Sequence, residues 1–229
     1  MNWPRASLLL LAACSAPAAE RDPSSWFAAE GQRAFARAST GSGWVIVGGQ
    51  PARAGLGSCY DAAGRRLATV RLGDDVAYCV DVHGPHVAIG MADGRVLLTT
   101  WPELADVQPC WRHPRPVVAV AYAPDGERIA SAGHDGIVRV GPATAGAAFV
   151  SLEHTAAATC VAWSPDGRQL ASGALDGKVR LHTREGRLLR TWNRLGGEVV
   201  AVRWNGEALE CDVRPTPVAE PERRQLPRD

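Results

Sequence analysis

With 229 residues, 46% of them hydrophobic and 21% charged, the chain has the make-up of a globular protein long enough to bury a core without disulfide or metal support. Its 25 basic and 24 acidic side chains leave a net charge of +1, and neither Lys nor Arg forms a run. That balance argues against a phosphate-backbone partner, so nucleic acid is not among the expected ligands.

The chain begins MNWPRASLLLLAACSAP, with one cation at Arg5, an apolar run from Ala6 to Ala13, and then Cys14. A positive start, a short apolar stretch and small residues at its end describe a secretory signal, and the run is too short for a membrane span. Leu11 to Cys14, LAAC, resembles the bacterial lipoprotein box, in which the Cys is lipidated and becomes the mature N-terminus. The resemblance implies a signal over 1–13, a lipid on Cys14 and a flexible spacer to residue 24. It implies a periplasm-facing place in the bacterial cell envelope, with the lipid as the sole membrane attachment. Without a working signal the chain is cytoplasmic.

The stretch SSWFAAEGQRAFARAS (24–39) reads like the end of a structural unit, with Trp26 ahead of a turn. It pairs either with the last unit of the chain, closing a ring, or with the first unit as its opening strand. WVIVGGQPARAGLG follows as strand, turn and strand; no helix comes after its glycines, so it is no phosphate loop. Asp81, His83 and His86 in DVHGPHV could suggest a metal, but the stretch aligns with later turns and is expected to be a hairpin. Cys59, Cys79, Cys110, Cys160 and Cys211 lie far apart, with no CxxC, mostly within apolar runs; they are expected as small buried hydrophobes. No metal and no cofactor is expected.

From His113 onward the sequence repeats itself. VVAVAY, the turn APDG, RIASAG, the hairpin signal Asp135-Gly136, IVRV and AAFVSL give four short strands. His154 opens a second copy: TCVAW, SPDG, QLASGA, Asp176-Gly177, KVRL and RLLRTW. His113 to His154, Ser131 to Ser172 and Asp135 to Asp176 are each 41 residues. Asp93-Gly94 lies one step earlier and Trp204 one step after Trp163. A single four-stranded sheet cannot bury both its faces, so such units must stack.

These units resemble WD repeats, the four-stranded blades of a β-propeller. In that family a His before the first strand, a Ser or Thr in the second and an Asp in the following hairpin form a buried hydrogen-bonded set, completed by a Trp closing the third strand. The resemblance assigns those structural roles to His113, Ser131 and Asp135, to His154, Ser172 and Asp176, and to Asp93 alone in the preceding unit. Gly141 and His182 stand where the Trp belongs, while Tyr60-Asp61 occupies the Trp-Asp position of the first unit. The fold implied is all-β: a propeller of about five four-stranded antiparallel blades over residues 25–213, with ring closure left open. A Pro-rich, charged segment, 214–229, is expected to be disordered.

Two copies of the His, Ser and Asp set at one spacing point to scaffold hydrogen bonds, so no catalytic residue is assigned. The function implied is a non-catalytic interaction scaffold for a protein or peptide. The connection TTWPELADVQPCWRHPRP (99–116) offers Trp101 and Trp111 as anchors on a partner-binding surface or as packing between blades. The alternative is a small periplasmic propeller enzyme or cofactor carrier, metal-dependent or of the quinone-binding kind that YDAAGRRLA faintly resembles.

Overall fold

The computed structural model describes residues 33–50, 53–193, 195–216 and 218–227. Its regular elements are all strands. The first blade holds β1 (Arg33–Ser39), β2 (Gly43–Gln50), β3 (Ala54–Asp61) and β4 (Arg66–Gly73); the second holds β5 (Ala77–His83), β6 (His86–Met91), β7 (Arg95–Thr100) and β8 (Ala105–Arg112). The third is β9 (Val117–Tyr122), β10 (Arg128–Gly133), β11 (Ile137–Pro142) and β12 (Val150–Glu153). The fourth is β13 (Ala158–Trp163), β14 (Gln169–Ala174), β15 (Val179–Thr183) and β16 (Leu188–Trp192), and the fifth is β17 (Glu198–Asn205), β18 (Ala208–Arg214) and β19 (Glu222–Gln225). Each sheet is an antiparallel meander of consecutive strands, so every hydrogen-bonded neighbour is also the neighbour in sequence.

Local chemistry sets these hairpins. Between β10 and β11, Gly136 takes a φ of 82°, a left-handed geometry that costs glycine little. The Asp135 carboxylate accepts the Ile137 amide at 3.1 Å and fixes the turn. The same device recurs 41 residues on, with Gly177 at φ 71° and the Lys178 amide donating to Asp176 at 3.1 Å.

Alternation along each strand presents two apolar faces, and the cores lie between blades rather than at one centre. Val45, Val47 and Cys59 meet Val87, Ile89 and Met91 at the first junction. Cys79, Val96 and Trp111 meet Val117 and Ile129 at the second; Ala130, Val138 and Leu152 meet Trp163 and Leu170 at the third. Cys160 and Val179 meet Val199, Cys211 and Val213 at the fourth. The first strands pack in series, β1 on β5, β5 on β9, β9 on β13 and β13 on β17; among the described residues no packing of that extent joins β17 back to β1.

Residues 33–39 are the opening strand of the first blade, paired from Arg33–Gly49 to Ser39–Trp44, and not a strand of the last. Trp26, the signal over 1–13, Cys14 and the spacer to residue 24 lie outside the described residues. The segment from 214 departs from the expected disorder. Glu222–Gln225 pairs with β18, Leu226 is 4% exposed within the fourth core, and the Pro227 carbonyl accepts the Trp192 indole N–H at 3.3 Å. The fifth blade therefore has three described strands, the others four. Its face away from the fourth blade is charged, with Asp212 paired to Arg203 and, at 3.4 Å, to Arg223.

Candidate functional site

In the third blade the expected set assembles. His113 precedes β9, Ser131 lies in the middle of β10 and Asp135 in the hairpin, and all converge behind the sheet edge. Ser131 and His113 are fully buried. His113 Nε2 lies 2.8 Å from Ser131 Oγ, and Nδ1 lies 3.0 Å from Asp135 Oδ2. Trp111 supplies the missing family Trp from another strand: on β8, it donates its indole N–H to Ser131 Oγ at 2.8 Å. With the imidazole proton on Nδ1, donation runs from Trp111 to Ser131 to His113 to Asp135.

Arg139 closes the set, donating to Asp135 at 3.1 Å and touching His113 Nδ1. Burial, followed by the Arg139 charge, pushes His113 down to about 4. Burial works to raise Asp135, yet hydrogen bonds from His113, the Ile137 amide and Arg139 together hold it below the usual carboxylate range. The charged pair is thus Asp135 with Arg139, and the imidazole is a neutral spacer. A Ser–His–Asp order suits a nucleophile only where the hydroxyl reaches a substrate. Here the hydroxyl is buried and bonded on both sides.

The fourth blade repeats the set with altered contacts. His154 Nε2 is 2.9 Å from Ser172 Oγ, but Nδ1 stands 3.6 Å from Asp176, beyond hydrogen-bond range. Asp176 instead accepts the Thr155 amide at 3.2 Å, the Thr155 hydroxyl at 3.0 Å and Arg180 at 3.1 Å. Burial opposes these bonds, but they bring Asp176 down to about 2. His182 fills the Trp position at 4% exposure, and its Nδ1 has no hydrogen-bond partner. Burial, then Arg180, pushes His182 down to about 4.

In the second blade Asp93 sits in the expected hairpin without a histidine. Arg95 takes over, donating to Asp93 at 2.7 Å and to the Leu72 carbonyl at 3.3 Å, where its guanidinium fills the space above Gly73. Arg71, aligned with the histidines, is exposed and pairs with Asp74 at 2.6 Å.

Neither tryptophan proposed as a partner anchor is free for that work. Trp111 is 6% exposed, sits in the second core and stacks on Phe149 at 5.6 Å. Trp101 is half-buried, packed on the first core beside Gly43. The connection between β7 and β8 folds inward, carrying Leu104 to 1% exposure. DVHGPHV is a hairpin in which His83 faces His86, and Asp81 accepts the Tyr122 amide of the next blade at 2.7 Å. The described residues hold no group of three His, Cys, Asp or Glu that could bind a metal.

Two recurrent contacts join blades at the ends of their first strands. Trp163 donates its indole N–H to Ala121 at 3.1 Å, and Trp204 does the same to Ala162 at 3.2 Å, each reaching the preceding blade. Arg184 binds Asp125 and, at 2.8 Å, Glu127, tying the fourth blade's last turn to the third blade's first. All five cysteines in the described residues are buried and free; burial pushes Cys59, Cys110 and Cys160 up to about 12 and Cys211 to about 11. On the hairpin face, an open crevice of about 710 Å³ separates the fourth and fifth blades, with Leu175, Lys178, Asn193, Glu198 and Thr216 in its walls.

Five stacked meanders joined by these sets define a β-propeller architecture of the WD-repeat class. Residues 107–140 and 149–183, within the third and fourth blades and the strand before them, match the family model "WD domain, G-beta repeat". No curated protein sequence matches the chain. A chain from a structure titled "Crystal Structure of Mitotic Checkpoint Complex" is similar in fold, with a TM-score of 0.72 and 20% identity over 80% of this chain. This chain spans 60% of that one's length.

Proposed function

We propose that the chain is a non-catalytic scaffold that holds a protein or peptide partner on the loop faces of its blades, tethered by a lipid on Cys14 in the bacterial envelope. What carries the scaffold reading is the use made of the reactive residues. His113, Ser131, Asp135, His154, Ser172 and Asp176 are buried and bonded to one another within blades, so the chemistry they could offer is turned inward. The rigid stack leaves its hairpins and connections as the groups that meet solvent, which suits recognition. The WD-repeat class is commonly used in this way. The envelope reading rests on the LAAC sequence, and no described helix is long and apolar enough to cross a membrane.

A photo-crosslinking residue placed at His134 or Lys178, on the hairpin face, is expected to trap a discrete partner in the native cell. Absence of adducts at both positions would count against the scaffold. Metabolic labelling with a clickable fatty acid tests the anchor: label is expected in the native chain and lost in Cys14→Ser, and an unlabelled native chain would remove the envelope from the proposal.

A further inference from the structure

The outer strands of the blades differ in how they meet solvent. An edge strand invites pairing, and proteins blunt it with charge, proline or bulges. β19 reads Glu-Arg-Arg-Gln, β8 exposes Asp106, Gln108 and Pro109, and β4 exposes one large apolar side chain, Leu67, beside Arg66. The adjoining edges of the third and fourth blades are different. Phe149 and Val150 are 41% and 43% exposed, and Leu188 and Leu189 are 53% and 42% exposed.

These residues form one rim. A Cβ on Gly186, in the turn before β16, would stand 2.8 Å from Val150 Cγ1. Along β16, His182 faces Leu188 and Leu181 faces Arg190, so Leu189 is an extra residue, a bulge that leaves two successive leucines exposed. Arg187 and Arg190 bracket them. Neither forms an ion pair with a carboxylate, and the Arg190 guanidinium lies 4.9 Å from the Trp192 ring. The nearby anions are Glu153 at the end of β12 and Glu185, which is bonded to its own amide and to Thr183.

The charges decide what this rim admits. If β16 paired antiparallel with a second copy of itself about Leu188 and Leu189, Arg187 would stand opposite Arg190 of the other copy, twice over. Like charges directly across strands are destabilising, so self-pairing is disfavoured. A strand with carboxylates at those two places and apolar residues between them meets both cations and both leucines. We propose that the rim of Phe149, Val150 and Arg187–Arg190 docks an extended segment of a partner protein in which two apolar residues are flanked by acidic ones. This rests on the scaffold reading and names its partner's chemistry.

The test is a titration of the full chain with a fluorescent peptide, Gly-Ser-Glu-Val-Val-Glu-Ser-Gly, and its counterpart with Lys in place of both Glu, read by anisotropy. The acidic peptide is expected to bind more tightly. Arg187→Glu with Arg190→Glu should weaken it by roughly five- to tenfold and reverse the preference toward the Lys peptide. Leu189→Ser should weaken both peptides, with unchanged thermal midpoints showing that the variants are folded. No saturable binding of the acidic peptide at about millimolar concentration, or a preference that fails to reverse, overturns the proposal. So does self-association that the double Glu variant abolishes, or Leu189-dependent binding to anionic phospholipid vesicles without peptide binding. A crosslinker at Leu188 separates this from the broader reading: adducts at His134 but not at Leu188 sink the rim and keep the scaffold, and adducts at neither sink both.

Discussion

The third and fourth blades start from almost the same words, APDGERIASAGHDGIVRV and SPDGRQLASGALDGKVRL, and their differences come in compensating pairs. In the third, Gly141 leaves the family's Trp position empty and Trp111 fills it from β8; a Cβ on Gly141 would stand 3.2 Å from the Trp111 ring. In the fourth, His182 occupies that position and Leu152 stands where Trp111 stood 41 residues earlier. A large and a small residue have been exchanged for two of middle size. The hydrogen bonds follow. Ser131 gains an indole donor and His113 reaches Asp135, whereas His154 stands back from an aspartate that Thr155 has claimed. The blade therefore requires a filled volume and a bonded serine, and either can be met from more than one position in the chain.

The largest way to break the comparison is Trp111→Ala, which empties the second core and unpairs Ser131; a loss of about 3–5 kcal/mol is expected by urea unfolding. Leu152→Ala, with no hydrogen bond to lose, should cost less, about 2–4 kcal/mol.

Acid should act more strongly on the fourth blade. His113, His154 and His182 are each held near 4 against an ordinary value of 6.5. They take up protons on unfolding, so stability is complete above about pH 6.5 and falls as pH drops toward 4. The fourth blade holds two of these groups and the third one. His182→Leu should remove one, so that the variant loses about 2 kcal/mol less than the native chain between pH 8 and pH 5 in chemical unfolding.

Gly141→Ala sharpens the packing side. Its Cβ would meet the Ala148 carbonyl at 2.8 Å as well as Trp111, and a cost of about 1–3 kcal/mol is expected. The cost should shrink in a Trp111→Leu background, a non-additivity that a double-mutant cycle measures. Arg184→Ala, which cuts the tie between the two blades at the surface, should cost at most about 1 kcal/mol, and less in high salt.

Most of the architecture was legible because its signals are local. The Asp-Gly hairpins, the Pro-Asp-Gly turns and the β-branched runs place β9, β10 and β14 at the residues read from sequence. The partners across blades were harder to read. Trp111 looked like part of a long connection because Pro109 interrupts its strand, yet that strand is an outer edge, where proline costs no ladder bond. The 41-residue register aligns Trp111 with apolar Leu152, a signal for burial that composition hid. Arg95 was missed because it replaces a histidine from a different position. β19 carries no apolar alternation; Leu226 alone anchors the strap that follows it.

The placement of the cysteines has a practical consequence. Cys59 lies in the first core, Cys79 and Cys110 in the second, Cys160 and Cys211 in the fourth, and none in the third. Sealed and with raised pKa values, these thiols react when a junction parts. In a Cys14→Ser background, pulse alkylation followed by peptide mapping would time the parting of three seams separately, with no label introduced and the junction between the two best-matched blades left silent.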